Sequence, residues 1–226
     1  MVMETYTGDV APGDPARTRD LGCLTLTKVA VDPQMSNNSY LLRCAQTGDQ
    51  VLVDAADDAG TLLDLVGDGG LVSVVTTHQH WDHHRALAEV VERTGAQVLV
   101  GEPDADAVTE QTGVPVDVRL EHGDRVQVGS CELEVIAIAG HTPGSIALLH
   151  RTADGGTHLL TGDSLFPGGV GATFGDADAF AQLIDEVEEK VFGTLPDETV
   201  FYPGHGGDGR LGEERPHLAE WRERGW

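Results

Sequence analysis

Residues 72–94 read VSVVTTHQHWDHHRALAEVVERT. The run opens as an apolar strand, Val72 to Thr76, and closes as a helix with Leu87, Val90 and Val91 at helical spacing, from about Asp82 to Thr94. Between the two, His78, His80, Asp82 and His83 occupy six positions. Residues just past a strand end sit on loops that a rigid scaffold holds in place. In extended backbone, side chains two apart share a face, so His78 and His80 point the same way. Asp82 and His83 turn into the next helix and address a second point nearby. A lone histidine ordinarily packs or is solvated, and Asp82 alone would be a helix N-cap. Four such groups crowded together after an apolar strand cost solvation unless a cation joins them. Neutral imidazole and carboxylate are the usual donors for zinc and related ions.

Outward from this stretch, strands are expected at Leu24 to Val31, Ser39 to Arg43, Gln50 to Asp54 and Gln97 to Val100, with a helix at Asp57 to Leu65. The second half repeats the habit. Strands are expected at Arg125 to Val128, Cys131 to Ala139, Ser145 to His150, His158 to Leu160 and Val200 to Tyr202. Helices are expected at Ala177 to Phe192 and about Gly212 to Arg224. Sheets in the middle with helices outside satisfy both apolar faces, which makes an α/β sandwich of two mixed sheets. No linker divides residues 21–226, and Met1 to Asp20, rich in Gly, Pro, Thr and Asp, reads as a loose leader.

Composition bounds the rest. The chain has 226 residues, 40% of them hydrophobic, which suits one sizeable core. No apolar run reaches membrane-spanning length, and the start lacks the pattern of a secretory signal. Cys23, Cys44 and Cys131 form no CxxC pair, so buried free thiols and a cytoplasmic protein are expected. A net charge of −24 with only Lys28 and Lys190 as lysines repels a phosphate backbone, so no nucleic-acid partner is expected. A small-molecule substrate is expected instead, with no membrane partner.

Three further residues sit in similar places, each after an apolar strand and beside glycine. They are His141 in Gly140-His141-Thr142-Pro143-Gly144, Asp163 in Thr161-Gly162-Asp163, and His205 in Pro203-Gly204-His205. Singly, turn chemistry explains each as well as metal binding does. As a set, they supply what the first cluster lacks.

These motifs, with His78-Gln79-His80-Trp81-Asp82-His83, resemble the metallo-β-lactamase superfamily in order and spacing. The resemblance implies an αββα sandwich. It assigns His78, His80 and His141 to one metal, and Asp82, His83 and His205 to the other, with Asp163 bridging. Two divalent cations are implied, zinc first, with iron and manganese also suited. A water shared by both ions would lose its proton near neutral pH, giving a bridging hydroxide as nucleophile. Asp82 is assigned as ligand and candidate proton shuttle.

Within the superfamily, true β-lactamases typically lack the bridging aspartate, and the acidity disfavours the nuclease branch. Thr161-Gly162-Asp163-Ser164-Leu165-Phe166 and the tail after Pro203 resemble the short bacterial glyoxalase II group, which hydrolyses a hydroxyacyl thioester of glutathione. Long forms grip glutathione with an added helical domain. Only 21 residues follow His205, so that domain is expected to be absent and the thiol carrier is open. Three alternatives stand beside this reading. One is a lactonase, one a non-catalytic module on the same fold. The third is a persulfide dioxygenase, which binds one iron through positions matching His78 or His80, His141 and Asp163. Arg210, Arg215 and Arg222 could meet a carboxylate but read as solvated. Pro167 to Gly175 reads as a lip beside the metals, Phe166 and Phe174 as core, and Trp81 as packed. No role is assigned to His84, His122, His150, His158 or His217.

Overall fold

The computed structural model describes residues 6–225. Strands β1 (Arg17–Asp20), β2 (Leu24–Ala30), β3 (Asn38–Cys44), β4 (Gln50–Val53), β5 (Ser73–Thr76), β6 (Gln97–Gly101) and β7 (Val118–Leu120) form the first sheet in sequence order. Neighbours from β1 to β4 pair antiparallel, and from β4 to β7 parallel. The switch follows from connection length: the parallel pairs are bridged by α1 (Ala59–Val66), α2 (Leu87–Thr94) and α3 (Ala105–Thr112).

The second half supplies β8 (Arg125–Val128), β9 (Cys131–Ala137), β10 (Ile146–Arg151) and β11 (Thr157–Gly162). A two-stranded ribbon follows, β12 (Leu165–Phe166) with β13 (Gly169–Val170), then α4 (Ala177–Val187), β14 (Val200–Pro203) and β15 (Gly209–Arg210). The second sheet runs β15-β14-β11-β10-β9-β8, with β11 and β14 its parallel pair. Helices α5 (Leu211–Glu214) and α6 (Leu218–Arg224) end the chain.

Three apolar clusters make four layers. Leu24, Leu26, Leu42, Leu133 and Leu148 fill the space between the sheets. Leu62, Leu87, Val90 and Val108 seal the first three helices onto the first sheet. Leu183, Ile184, Val187 and Trp221 do the same for α4 and α6 on the second. Each sheet is thus apolar on both faces, which explains strands such as β4 and β11 that are buried at every position. The fold is the αββα sandwich expected from the sequence.

Four local readings differ. The helix expected from Asp82 begins only at Leu87, because Trp81–His83 forms a separate 3-10 turn closed by the His84 amide on the Trp81 carbonyl. The long helix expected to Phe192 is α-helical to Val187 and widens into a π turn over Glu188–Phe192. The final helix is broken at Arg215–His217, where Pro216 lies. In the expected leader, residues 1–5 lie outside the described residues. Its end is a strand, β1, and Val10 is buried.

The cysteines also differ from expectation. Cys23 and Cys131 are joined in a disulfide between the two sheets, and Cys44 is the free, buried one. Spacing in sequence cannot reveal this, because the pairing is made by the stacking of two sheets and joins residues 108 apart. No described helix is long and apolar enough to cross a membrane.

Candidate metal centre

The ends of β5, β9, β11 and β14 converge on one edge of the sandwich. β5 leads through Thr77 to His78, and His80 precedes the turn that carries Asp82 and His83. His141 follows Gly140, whose φ of 127° favours glycine and whose added Cβ would lie 2.5 Å from Leu183 Cβ on α4. Asp163 follows β11, and His205 follows β14, with Gly162 opposite Pro203 in register. Backbone bonds from Ile146 to Thr77 (2.9 Å) and from Asn38 to Gly204 (2.7 Å) stitch the two sheets together beside the site.

All seven side chains singled out in the sequence meet here, and their donor atoms make two triangles. In the first, His78 Nε2 lies 3.1 Å from His80 Nδ1 and 3.3 Å from His141 Nε2, with 2.9 Å closing the third side. In the second, Asp82 Oδ2, His83 Nε2 and His205 Nε2 are 3.6, 3.2 and 3.4 Å apart. Asp163 joins them: Oδ1 is 3.4 Å from His83, and Oδ2 is 3.4 Å from His205 and 3.7 Å from His141.

The ring orientations are held from behind. His141 Nδ1 donates to the Ala172 carbonyl at 2.8 Å and His205 Nδ1 to the Met35 carbonyl at 2.9 Å. His83 Nδ1 donates to Asp54 Oδ2 at 2.9 Å. Thr77 Oγ1 donates to Asp54, and so accepts from His78 Nδ1 at 3.0 Å. Carbonyls and carboxylates only accept, so each of these four rings carries its hydrogen on Nδ1 and turns a bare Nε2 inward when neutral. Bare nitrogens about 3 Å apart repel unless a cation lies between them. Asp163 Oδ1 is likewise buried without a hydrogen-bond partner.

Titration follows from this crowding. Burial drives the His78 imidazole well below its ordinary pKa, reinforced by His83. Burial would lower His83 too, but Asp163 and Asp54 more than offset it and raise its pKa well above the ordinary value. Burial also opposes His205, whose pKa is nonetheless pushed up to about 9 by Asp163 and Asp82. Burial would raise Asp163, yet His83 and His205 hold its carboxyl well below the usual range. Without metal, protons on His83 and His205 are the positive charges of the site.

The family model described as "Metallo-beta-lactamase superfamily" matches residues 32–205, from just before β3 to the last of these histidines. The chain belongs to that superfamily. It is 33% identical over 181 residues to a "Hydroxyacylglutathione hydrolase" of Ruegeria pomeroyi, covering 79% of this chain and 66% of that one. The chain spans about two thirds of the length of the curated relatives it matches. Among solved structures, it resembles ETHE1 from Myxococcus xanthus (31% identity, TM-score 0.71, covering 93% of this chain and 85% of that one). It also resembles TTHA1623 in a di-iron-bound form (29% identity, TM-score 0.64, 83% and 96%).

Within this metallo-β-lactamase site, sequence reading missed the residues that hold the loops. Asp54, 2% exposed, accepts from the Thr77 amide and hydroxyl as well as from His83. Asp104, fully buried, accepts from the Gln79 amide, Thr142 hydroxyl and Gly144 amide, and so ties the His78–His80 loop to the His141 loop. Asn37 Nδ2 holds Asp82 Oδ2 at 3.0 Å. Lys28, fully buried, donates to the Gly206 carbonyl, the Gly8 carbonyl and Asp208 at 2.7–2.8 Å, steadying the loop after His205. Asp54 follows β4 as His78 follows β5, a pattern that could have marked it. Asp104 carries no such mark.

Other placements correct the sequence reading. Phe174, expected in the core, is 80% exposed, with its ring centroid 5.8 Å from His80. Phe166 is only partly buried, 6.3 Å from His205. Trp81 is 55% exposed beneath the Arg85 guanidinium. His84 is buried, with Nε2 3.1 Å from the Gln79 carbonyl of the His78–His80 loop. Arg215 and Arg222 are engaged by Asp197 and by Asp185 and Glu188.

In metal-free protein, the raised pKa values of His83 and His205 mean that the folded state binds extra protons above the ordinary histidine range. That contribution is complete below about pH 6.5 and is lost as pH rises through about 9. Urea unfolding in chelator is expected to show lower stability at pH 9.5 than at 6.5, by roughly 2 kcal/mol; a flat or rising profile contradicts the assignment. A second expectation concerns Gly204, where an added Cβ would sit 2.5 Å from His83 Cε1 and closer still to Asp163 Oδ1. Gly204→Ala should therefore weaken metal uptake about tenfold or more, read by competition with a chromogenic chelator, while circular dichroism is unchanged.

Proposed function

We propose that this protein is a binuclear metal-dependent hydrolase of thioesters or esters, with a hydroxyacyl thiol as its substrate class. The observation that carries the reading is the pair of donor triangles sharing Asp163. A four-coordinate ion with ligands at about 2.0–2.1 Å has ligand–ligand edges of roughly 3.3 Å. The edges here run from 2.9 to 3.7 Å. The inward-facing nitrogens and the partnerless Asp163 Oδ1 fit the same group.

On this reading His78, His80 and His141 would hold one cation, and Asp82, His83 and His205 the other, with the Asp163 carboxylate supplying negative charge to both groups. Such cations would supply Lewis-acid chemistry, lowering the pKa of water and polarising a substrate carbonyl. The chain's own groups do the rest. Asp54, Ala172 and Met35 fix the rings so that no reorganisation is needed during turnover. Asn37 Nδ2, 3.0 Å from Asp82 Oδ2, orients that carboxylate as the candidate proton shuttle. Phe174 beside His80 and Phe166 beside His205 present apolar walls to the acyl group and its leaving thiol.

Similarity to hydroxyacylglutathione hydrolases supports the thioester reading, and similarity to a di-iron-bound protein supports two metals, with iron as well as zinc suited. The test is a panel of hydroxyacyl thioesters of different thiols, simple esters and lactones, with an oxygen electrode in parallel. Thioester cleavage without oxygen uptake is expected, abolished by chelator and restored by metal. Asp163→Asn should lower kcat/KM by roughly a thousandfold. Thiol-dependent oxygen uptake with one iron per chain, or turnover of lactones alone, would replace this reading with a dioxygenase or a lactonase.

A further inference from the structure

The three cysteines, scattered in sequence, meet far from the metal centre. β3 starts at Asn38, whose side chain bonds the carbonyls flanking His205, and ends at Cys44, six residues or roughly 20 Å along the strand. There the free Cys44 Sγ lies 3.9 Å from Cys131 Sγ, which is already bonded to Cys23. Cys44 and Cys131 are buried, at 1% and 3% exposure, whereas Cys23 is exposed.

The arrangement is built for two pairings. Cys23 immediately precedes β2 and Cys44 ends the neighbouring β3 of the first sheet: Leu24 faces Cys44 in register, and the Ala45 amide bonds the Cys23 carbonyl at 2.9 Å. Cys131 opens β9 of the second sheet. Either disulfide therefore joins the two sheets at the same point, so exchange requires no change of fold. Ser130 Oγ lies 3.4 Å from Cys44 Sγ, and Gly129 leaves room for that sulfur, since a Cβ there would lie 2.9 Å from it. Hydrogen bonds from Ser130 and Thr47 favour the thiolate form of Cys44, against the burial of its sulfur. Cys44 also borders a depression of about 490 Å³ shaped by Thr25, Arg43 and the 45–48 turn.

We propose that Cys23, Cys44 and Cys131 form a thiol–disulfide exchange site that takes up a low-molecular-weight thiol, from its disulfide, on Cys23. In the first step Cys44 thiolate attacks Cys131 Sγ. The Cys44–Cys131 bond forms, the Cys23–Cys131 bond breaks, and its electron pair leaves on Cys23; nothing is oxidised overall. In the second step the exposed Cys23 thiolate attacks an external disulfide RSSR. A Cys23–SR bond forms, and RS⁻ departs and takes a proton from water. The buried pair thus stores the cross-link while the exposed sulfur carries the adduct.

The test uses glutathione disulfide as probe on the full chain, with acid quench, alkylation and mass mapping of unreduced peptides. Wild-type protein is expected to gain glutathione on Cys23 together with a Cys44–Cys131 linked peptide. Cys44→Ser should slow that adduct about tenfold or more, because Cys23 then stays locked to Cys131. Cys23→Ser, at an exposed position that spares the core, should close Cys44–Cys131 under the same treatment and retain no glutathione. Glutathione on Cys44 with Cys23–Cys131 intact would overturn the proposal. So would an adduct on Cys23 formed at the wild-type rate in Cys44→Ser, or two free thiols persisting in Cys23→Ser.

Discussion

The Asp163 carboxylate is the constraint around which the rest is arranged. It is nearly enclosed, its two oxygens face His83, His205 and His141, and Oδ1 forms no well-aligned hydrogen bond. A buried carboxylate in that position is tolerable only beside positive charge. Protons on two histidines supply some of it in the metal-free chain. Cations supply more, and they also remove the repulsion among inward-facing imidazole nitrogens. The donor set is costly to assemble and makes physical sense only as a receptacle for charge.

Holding such a set requires the whole sandwich. The donors come from four strand ends in two sheets, and the bonds that fix them cross between those sheets. Asp54 at the end of β4 anchors the β5 loop and the His83 ring, while Asp104 before α3 anchors both the β5 and β9 loops. Tyr40 and Asn38 on the first sheet bond the Pro203 carbonyl of the second, and Lys28 reaches the Gly206 carbonyl beyond the histidine. Glycine permits the closest approaches: at Gly171 an added Cβ would lie 3.0 Å from His141 Nδ1. Precision at the site is thus a property of the packing between layers, not of the HxHxDH segment alone.

Much of this was legible in the sequence because the chemistry is local there. His78 to His83 fall within one strand-to-turn segment, and His141, Asp163 and His205 each follow a strand and adjoin glycine, a recurring mark. The family resemblance then ordered them. What stayed hidden depends on contacts distant in sequence. Asp104 looks like any acidic residue before a helix, and only the fold brings it under Thr142 and Gly144. The Cys23–Cys131 link needed the pairing of β2 with β3 and the stacking of the sheets. Phe174 reads as core from its type, but a positive φ of 55° turns it out to solvent beside the histidines. The short strands β1, β7, β12, β13 and β15 owe their pairing to neighbours rather than to apolar alternation.

The most direct measurement is the metal content of the purified chain after saturation with zinc and removal of excess, by elemental analysis against protein concentration. Two metals per chain, falling to zero after chelation, is the expected result. A saturated value of one, or none, would contradict a pair of sites joined through Asp163.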